Sequence, residues 1–502
     1  MKNQFLYGSD QLTVQIGLQI AEGETKAFIP CQIRKRVQQC HDAVETIVNG
    51  EKLVYSINTG FGSLCTTKIS KENTRILQKN LLKSHSVGMG DPVPHHIAKL
   101  MLIQKLHSLC MGYSGISLDV VDRIIWHIEN DYIPHVPEQG SVGASGDLAP
   151  LSHLFLPLIG LGKLARKGEQ YVPTTDILCQ HQLEPLTLGP KEGLALINGT
   201  QFITAHAAMV VDRLARGLDH ADIIGALSLE GLLGSAKPFV ARLHQIRPHK
   251  GAITVAQRLT RFLKDSQFID YHKHCDRVQD PYSLRCMPQV HGASRDSWDH
   301  LNQQLECELN SVTDNPIIFS ADDAVSGGNF HGQPLALPLD YAGLAAAELG
   351  NISDRRTYLL LEGKVELPVY LIENSGVNSG LMIAQYCSAA LVSENKSLCF
   401  PASADSILTS MGQEDHVSMG SISGRKTLRI IDNLEKIQAI ELLCAIQAIE
   451  FRRPNKSSDI LEQCFDYVRQ RIPHIKEDVV THEYIDKALD IVREGKLLEI
   501  CK

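Results

Sequence analysis

From Gly140 to Ser152 the chain reads GSVGASGDLAPLS, with glycine at every third position (Gly140, Gly143, Gly146) and Ala144 and Ser145 between the last two. Glycine reaches backbone angles closed to other residues and lets a second backbone come close, so this segment can fold the chain sharply back on itself. Asp147, Leu148, Ala149 and Pro150 read as a helix start, with Asp as its cap and Pro tolerated in the first turn. Leu151, Leu154, Phe155 and Leu158 supply the apolar continuation. Ala144-Ser145-Gly146 therefore stands just before a helix amino terminus, whose partial positive charge favours electron density placed against it. A flexible Gly/Ser loop is the plain alternative.

The segment is similar to the signature of the aromatic amino-acid ammonia-lyases and aminomutases, in which Ala-Ser-Gly cyclises autocatalytically to a methylidene-imidazolone. The resemblance implies that the Gly146 nitrogen is pressed onto the Ala144 carbonyl by a strained turn, while Ser145 loses its hydroxyl as water and supplies an exocyclic methylene. The cofactor would then be made from Ala144, Ser145 and Gly146, with none added from outside.

Further segments resemble the same family across nearly the whole chain. Tyr55 opens YSINTGFG, the family's tyrosine loop, and by resemblance is the catalytic base; it needs neighbours that favour phenolate. Asn198, in GLALINGT, is placed against the cofactor, where an amide can donate and accept at once; the same residue reads equally as a helix cap before Thr200. In QDPYSLR the resemblance assigns Gln279 and Arg285 to substrate binding, Arg285 as a bidentate fork on the carboxylate, and Tyr282 to the reacting centre. Phe330, in GGNFHG, is assigned to shaping the pocket, and the Asp314-Asn315 pair to structure.

Two places bear on the substrate. His85 in LKSH falls where family members acting on histidine carry Ser-His and those acting on phenylalanine or tyrosine carry Phe-Leu or His-Leu. Glu414 in QEDHVSM stands where members acting on phenylalanine carry an uncharged group. An imidazole and a carboxylate can satisfy a substrate imidazole and would be desolvated unpaired against a phenyl ring. The expected reaction is therefore non-oxidative deamination of L-histidine to trans-urocanate and ammonia, with Glu414 assisting Tyr55. Deamination of tyrosine or phenylalanine, or a 2,3-aminomutase reaction, is the alternative. Ser56, Met287 and Phe400 depart from the family's usual residues.

The elements that must hold these groups read as mainly α. The apolar positions Leu118, Val121, Ile124, Ile125 and Ile128 recur at helical spacing behind Ser117, a possible cap. From Lys426 to Arg453 there is neither Gly nor Pro between Gly424 and Pro454, which predicts a rod of about 40 Å. Its apolar residues step by three from Leu428 to Ile449 with Ala and Cys between, so it is buried against several neighbours. Residues 204–214, 339–349 and 381–391 are similarly Ala-rich. The expected organisation is an irregular, Gly-rich part carrying the cofactor loop over residues 1–200, then a long-helix bundle over 201–502.

A net charge of -8 gives no positive field for nucleic acid or anionic membrane. The start of the chain lacks an apolar signal region, and residues 154–161 are too short to span a bilayer, so a soluble cytoplasmic protein is expected. The 13 cysteines contain no C-x-x-C pair and read as free thiols. His272, His274 and Cys275 are too closely spaced for structural zinc, so no metal is expected. The family resemblance implies a homotetramer.

Overall fold

The computed structural model describes residues 4–50, 54, 57, 71–271 and 278–502. Two compact units divide the chain. The first comprises Met1–Met209, Asn302–Leu339 and Pro401–Arg425, and the second Val210–Leu301, Asp340–Phe400 and Lys426–Lys502. These bounds differ from a single cut after residue 200: residues 302–339 and 401–425 join the first unit, where they contact the Gly-rich loop and the chain around residue 199.

In the first unit, helices and Gly-rich turns alternate. Its helices include Cys31–Asn49, Lys71–His85, His95–Cys110, Leu118–Asn130 and Leu148–Phe155. The helix His95–Cys110 is buried without interruption from Ile97 to Cys110, so it forms the centre of this unit and carries Lys105 inside it. Every strand among the described residues is short and lies in this unit. Gln4–Leu6 pairs parallel with Lys26–Phe28, while Met89–Pro92 with Pro137–Gln139 and Ile317–Ile318 with Ala324–Val325 are antiparallel. Ile133–Pro134, Lys163–Ala165 and Val172–Pro173 form a three-stranded antiparallel sheet.

Long helices make up the second unit. The helix expected over 426–453 runs from Gly420 to Glu450. It passes through Gly424 because a side chain there would stand 2.9 Å from His206 Cβ, so this glycine serves close packing and is no terminator. Ile431, Leu434, Ile437, Ile440, Leu443, Ile446 and Ile449 are all fully buried, as their spacing predicts, while Leu428 at the start of the series is half-buried. Ser117 precedes the helix Leu118–Asn130, but its side chain makes no cap; its backbone N–H donates to Glu192 Oε1 at 2.8 Å instead. Met287 is also core: a side chain on Gly225 would stand 2.6 Å from its sulfur.

A buried charge network crosses the second unit's core. Arg356 donates from Nε and Nη2 to Glu441 at 2.5 and 2.9 Å, and Ser228 and Ser353 hydroxyls donate to the same carboxylate. Removing one partner leaves an uncompensated buried charge. Arg356→Met should therefore cost about 3–5 kcal/mol, read as a lowered midpoint in chemical denaturation.

Candidate active site

The Gly-rich loop is held in a conformation that its residue types permit and few others would. Ser145 has φ 51° and Gly146 φ 77°, both in the left-handed region, where only Ser145 carries the steric penalty of a side chain. A Cβ on Gly146 would lie 2.1 Å from Gly199 O, and one on Gly143 would lie 2.3 Å from Ser418 Oγ. Glycine is thus demanded at both positions by neighbours on either side of the loop.

Those neighbours clamp it by hydrogen bonds. On one side, Asp147 N donates to Gly199 O at 2.7 Å and Asn198 Nδ2 donates to Ser145 O at 3.0 Å. On the other, Met419 N donates to Val142 O at 3.0 Å and Ser421 Oγ to Ser141 O at 2.6 Å. Asp147 precedes the helix Leu148–Phe155 but makes no side-chain cap there. Its Oδ2 instead accepts Phe202 N and Ile203 N at 3.0 Å each, capping the first turn of the helix Gln201–Gly231.

Ser145 Oγ donates to Glu414 Oε1 at 3.2 Å. Glu414 Oε2 accepts Thr409 Oγ1 at 3.0 Å, and residues 409 and 414 pair backbone to backbone, which fixes where the carboxylate stands. His85 ends its helix half-buried, its Nδ1 3.0 Å from Ser84 Oγ. Burial lowers the His85 imidazole below its ordinary range, while the Leu81 carbonyl and the Glu414 charge pull the other way. Asn198 O accepts Lys105 Nζ at 2.6 Å, and Asn198 Oδ1 is buried without a partner. Burial lowers the Lys105 ammonium to about 8, against the nearby charge of Asp314.

The first unit therefore brings Ser145, Asn198 and Glu414 into hydrogen-bonded contact, with Ala144 and Gly146 in the same turn and His85 within the field of Glu414. Phe330 sits half-buried in the turn before the helix Gln333–Leu361. Gln279, Tyr282 and Arg285 belong to the second unit. There the Arg285 guanidinium lies 4.4 Å from the centre of the Tyr282 ring and its Nε donates to Asp280 O at 3.0 Å. Tyr55, Ser56, His272, His274 and Cys275 lie outside the described residues. Among the described residues no three groups are placed to hold a metal ion.

Three neighbours of the loop escape a reading of the sequence: Thr409, Lys105 and the true partner of Asp147. Lys105 does leave a signal, a lysine inside the apolar run LMLIQKL.

A family model described as aromatic amino acid lyase matches residues 12–470. The chain belongs to the aromatic amino acid lyase family. It is 43% identical over 497 residues to histidine ammonia-lyase from Myxococcus xanthus, covering 99% of this chain and 98% of that protein. The solved histidine ammonia-lyase from Trypanosoma cruzi superposes with a TM-score of 0.91 at 40% identity, over 99% of this chain and 95% of that one. Tyrosine aminomutase from Streptomyces globisporus superposes at 0.93 with 33% identity, over 99% and 98%. In this aromatic amino acid lyase the helical scaffold therefore extends over almost the whole chain.

Burial raises the Asp147 carboxyl from 3.8 to about 7, overcoming the Ile203 and Phe202 amides that favour its charged form. The folded state thus binds a proton that the unfolded state has released, so stability declines as pH rises from 3.8 to about 7 and the cost is constant above. Asp147→Asn keeps an acceptor for both amides and removes the titration. Its stability relative to the parent should rise across that window; denaturation midpoints measured on both sides of it check the sign, and a difference independent of pH contradicts it.

Proposed function

We propose that this chain is a histidine ammonia-lyase, converting L-histidine to trans-urocanate and ammonia with an electrophile made from its own Ala144, Ser145 and Gly146. The observation that carries this reading is Glu414, hydrogen-bonded to Ser145 Oγ at 3.2 Å, in a chain 43% identical to a histidine ammonia-lyase. Tyrosine aminomutase shares the scaffold at the lower identity of 33%, so the products decide between the two chemistries.

The loop fits ring closure. Left-handed backbone at Ser145 and Gly146 forms a tight turn in which Gly146 N donates to Gly143 O at 3.3 Å, and Gly146 has no side chain to obstruct its nitrogen. A methylidene-imidazolone made from Ala144, Ser145 and Gly146 would supply an electrophilic methylene toward the substrate amine. Asn198 Nδ2, already on Ser145 O, stabilises negative charge at that oxygen, and its unpaired Oδ1 offers an acceptor to a donor brought into the site. Glu414 Oε1 accepts a hydrogen bond from the Ser145 hydroxyl, and as a carboxylate beside the loop it takes or returns a proton during turnover.

His85, neutral through burial, and Glu414 hold the substrate imidazole; by their motifs, Arg285 and Gln279 are assigned to the carboxylate, and Phe330 and Tyr282 to the reacting carbons. Tyr55 removes the β-proton, the role assigned to it by its motif. The protein acts as a homotetramer. Tyr341, Leu344 and Tyr358 on one helix of the second unit, and Ile383 and Tyr386 on another, are each 46–60% exposed, apolar surface of the kind that self-association removes from water.

Intact-mass measurement should find the active protein lighter by two waters, with the loss in the peptide containing Ala144-Ser145-Gly146. Ser145→Ala should abolish that loss and reduce turnover about a thousandfold or more. An unmodified tripeptide in fully active enzyme contradicts the mechanism.

Offered histidine, tyrosine and phenylalanine separately, the enzyme should favour histidine by roughly 10⁴ in kcat/KM. His85→Leu should raise KM for histidine and narrow that preference, whereas Glu414→Gln should mainly lower kcat. Faster turnover of tyrosine or phenylalanine by the parent overturns the substrate assignment and leaves the family unaffected.

A further inference from the structure

Far from the loop in sequence, the second unit brings two thiols together. Cys464, in the helix Asp459–Arg471, and Cys501, next to the last residue, have their sulfurs 3.5 Å apart. A cleft of about 500 Å³ reaches Cys501, lined also by Lys502, Arg216, Arg258, Arg261 and Glu494. Cys501 thus has a route to solvent while Cys464 is fully buried behind it. Arg261 also donates to the Cys501 and Lys502 carbonyls, which holds the chain end in place beside the cleft.

We propose that Cys501 and Cys464 are a peroxide-reactive dithiol, in which Cys501 attacks a hydroperoxide entering the cleft and Cys464 resolves the product as an intramolecular disulfide. The Cys501 sulfur bonds the distal peroxide oxygen as the O–O bond breaks. The alcohol, or water from hydrogen peroxide, departs with the Cys501 proton, leaving a sulfenic acid. The Cys464 sulfur then displaces that hydroxyl, which leaves as water with the Cys464 proton. The two thiols give up two electrons and the peroxide accepts them.

Closing the gap from 3.5 Å to the roughly 2.05 Å of a disulfide requires the two sulfurs to approach by about 1.5 Å, within reach of side-chain rotation. The hydrogen bond from Cys464 and the positive charges of Arg258 and Arg261 favour thiolate at Cys501, the nucleophilic form, against burial and the charge of Asp219. In the first unit Cys40 and Cys110 are also buried, but burial raises both thiols away from that form.

The test treats the folded full-length protein with hydrogen peroxide, blocks remaining thiols, and maps the digest by mass. A peptide joining Cys464 to Cys501, lighter by two hydrogens and restored by dithiothreitol, is the expected result. Cys464→Ser should leave Cys501 trapped as a sulfenic acid that dimedone captures, and Cys501→Ser should abolish the link while histidine deamination is unchanged. The exposed Cys31 and Cys179 report that the oxidant acted. If they oxidise while Cys464 and Cys501 stay free, or if Cys501 oxidises without joining Cys464, the proposal fails.

Discussion

Two backbones meet where no side chain could stand between them: a Cβ on Gly146 would come within 2.1 Å of Gly199 O. Much of the first unit's polar architecture follows from this approach. It brings Asp147 N onto Gly199 O, carries the Asp147 carboxylate onto the first turn of the helix Gln201–Gly231, and places Asn198 within reach of Ser145 O. Left-handed backbone at Ser145 is unfavourable by itself, of order 1 kcal/mol or more, and persists because partners on both sides over-determine it.

Several polar groups around the loop, Lys105, Asp147 and Asn198 among them, are buried. In a low-dielectric surrounding each charge acts at longer range and each unpaired polar atom is costly, so the arrangement is both strong and exacting. Glu441 in the second unit shows the fully satisfied version, with Arg356, Ser228 and Ser353 all donating to one carboxylate. Asn198 differs: its Nδ2 and backbone oxygen are engaged while Oδ1 is buried and idle. A stabilising network consumes its hydrogen-bonding capacity, whereas a reacting centre has to hold some back for its substrate.

Local requirements were legible in the sequence and distant ones were not. Glycine spacing in 140–146 announced a turn because the demand for left-handed backbone is a property of the residue itself. The three-residue step of isoleucine and leucine from 428 to 449 announced a buried helix for the same reason. Asp147 misled: it sits just before Leu148, yet the amides it caps lie 55 and 56 positions onward, which spacing cannot reveal. Gly424 misled in the opposite sense, since a glycine that packs against His206 and one that ends a helix look alike without the neighbour. Ser145, Asn198 and Glu414 were nameable from motifs, but their mutual contact depends on tertiary folding.

Ser145 and Glu414 are 269 positions apart, and the segment that grips the loop's other side continues to Ser421. During synthesis the tripeptide therefore emerges long before the residues that strain it exist. Under the proposed mechanism, ring closure would in consequence be a late event, possible only once most of the chain has been made and folded. An electrophile formed on a half-made chain would meet the cell's thiols and amines without a pocket to select among them. With the clamp divided between distant stretches of sequence, the loop reaches its strained conformation only when the fold is complete.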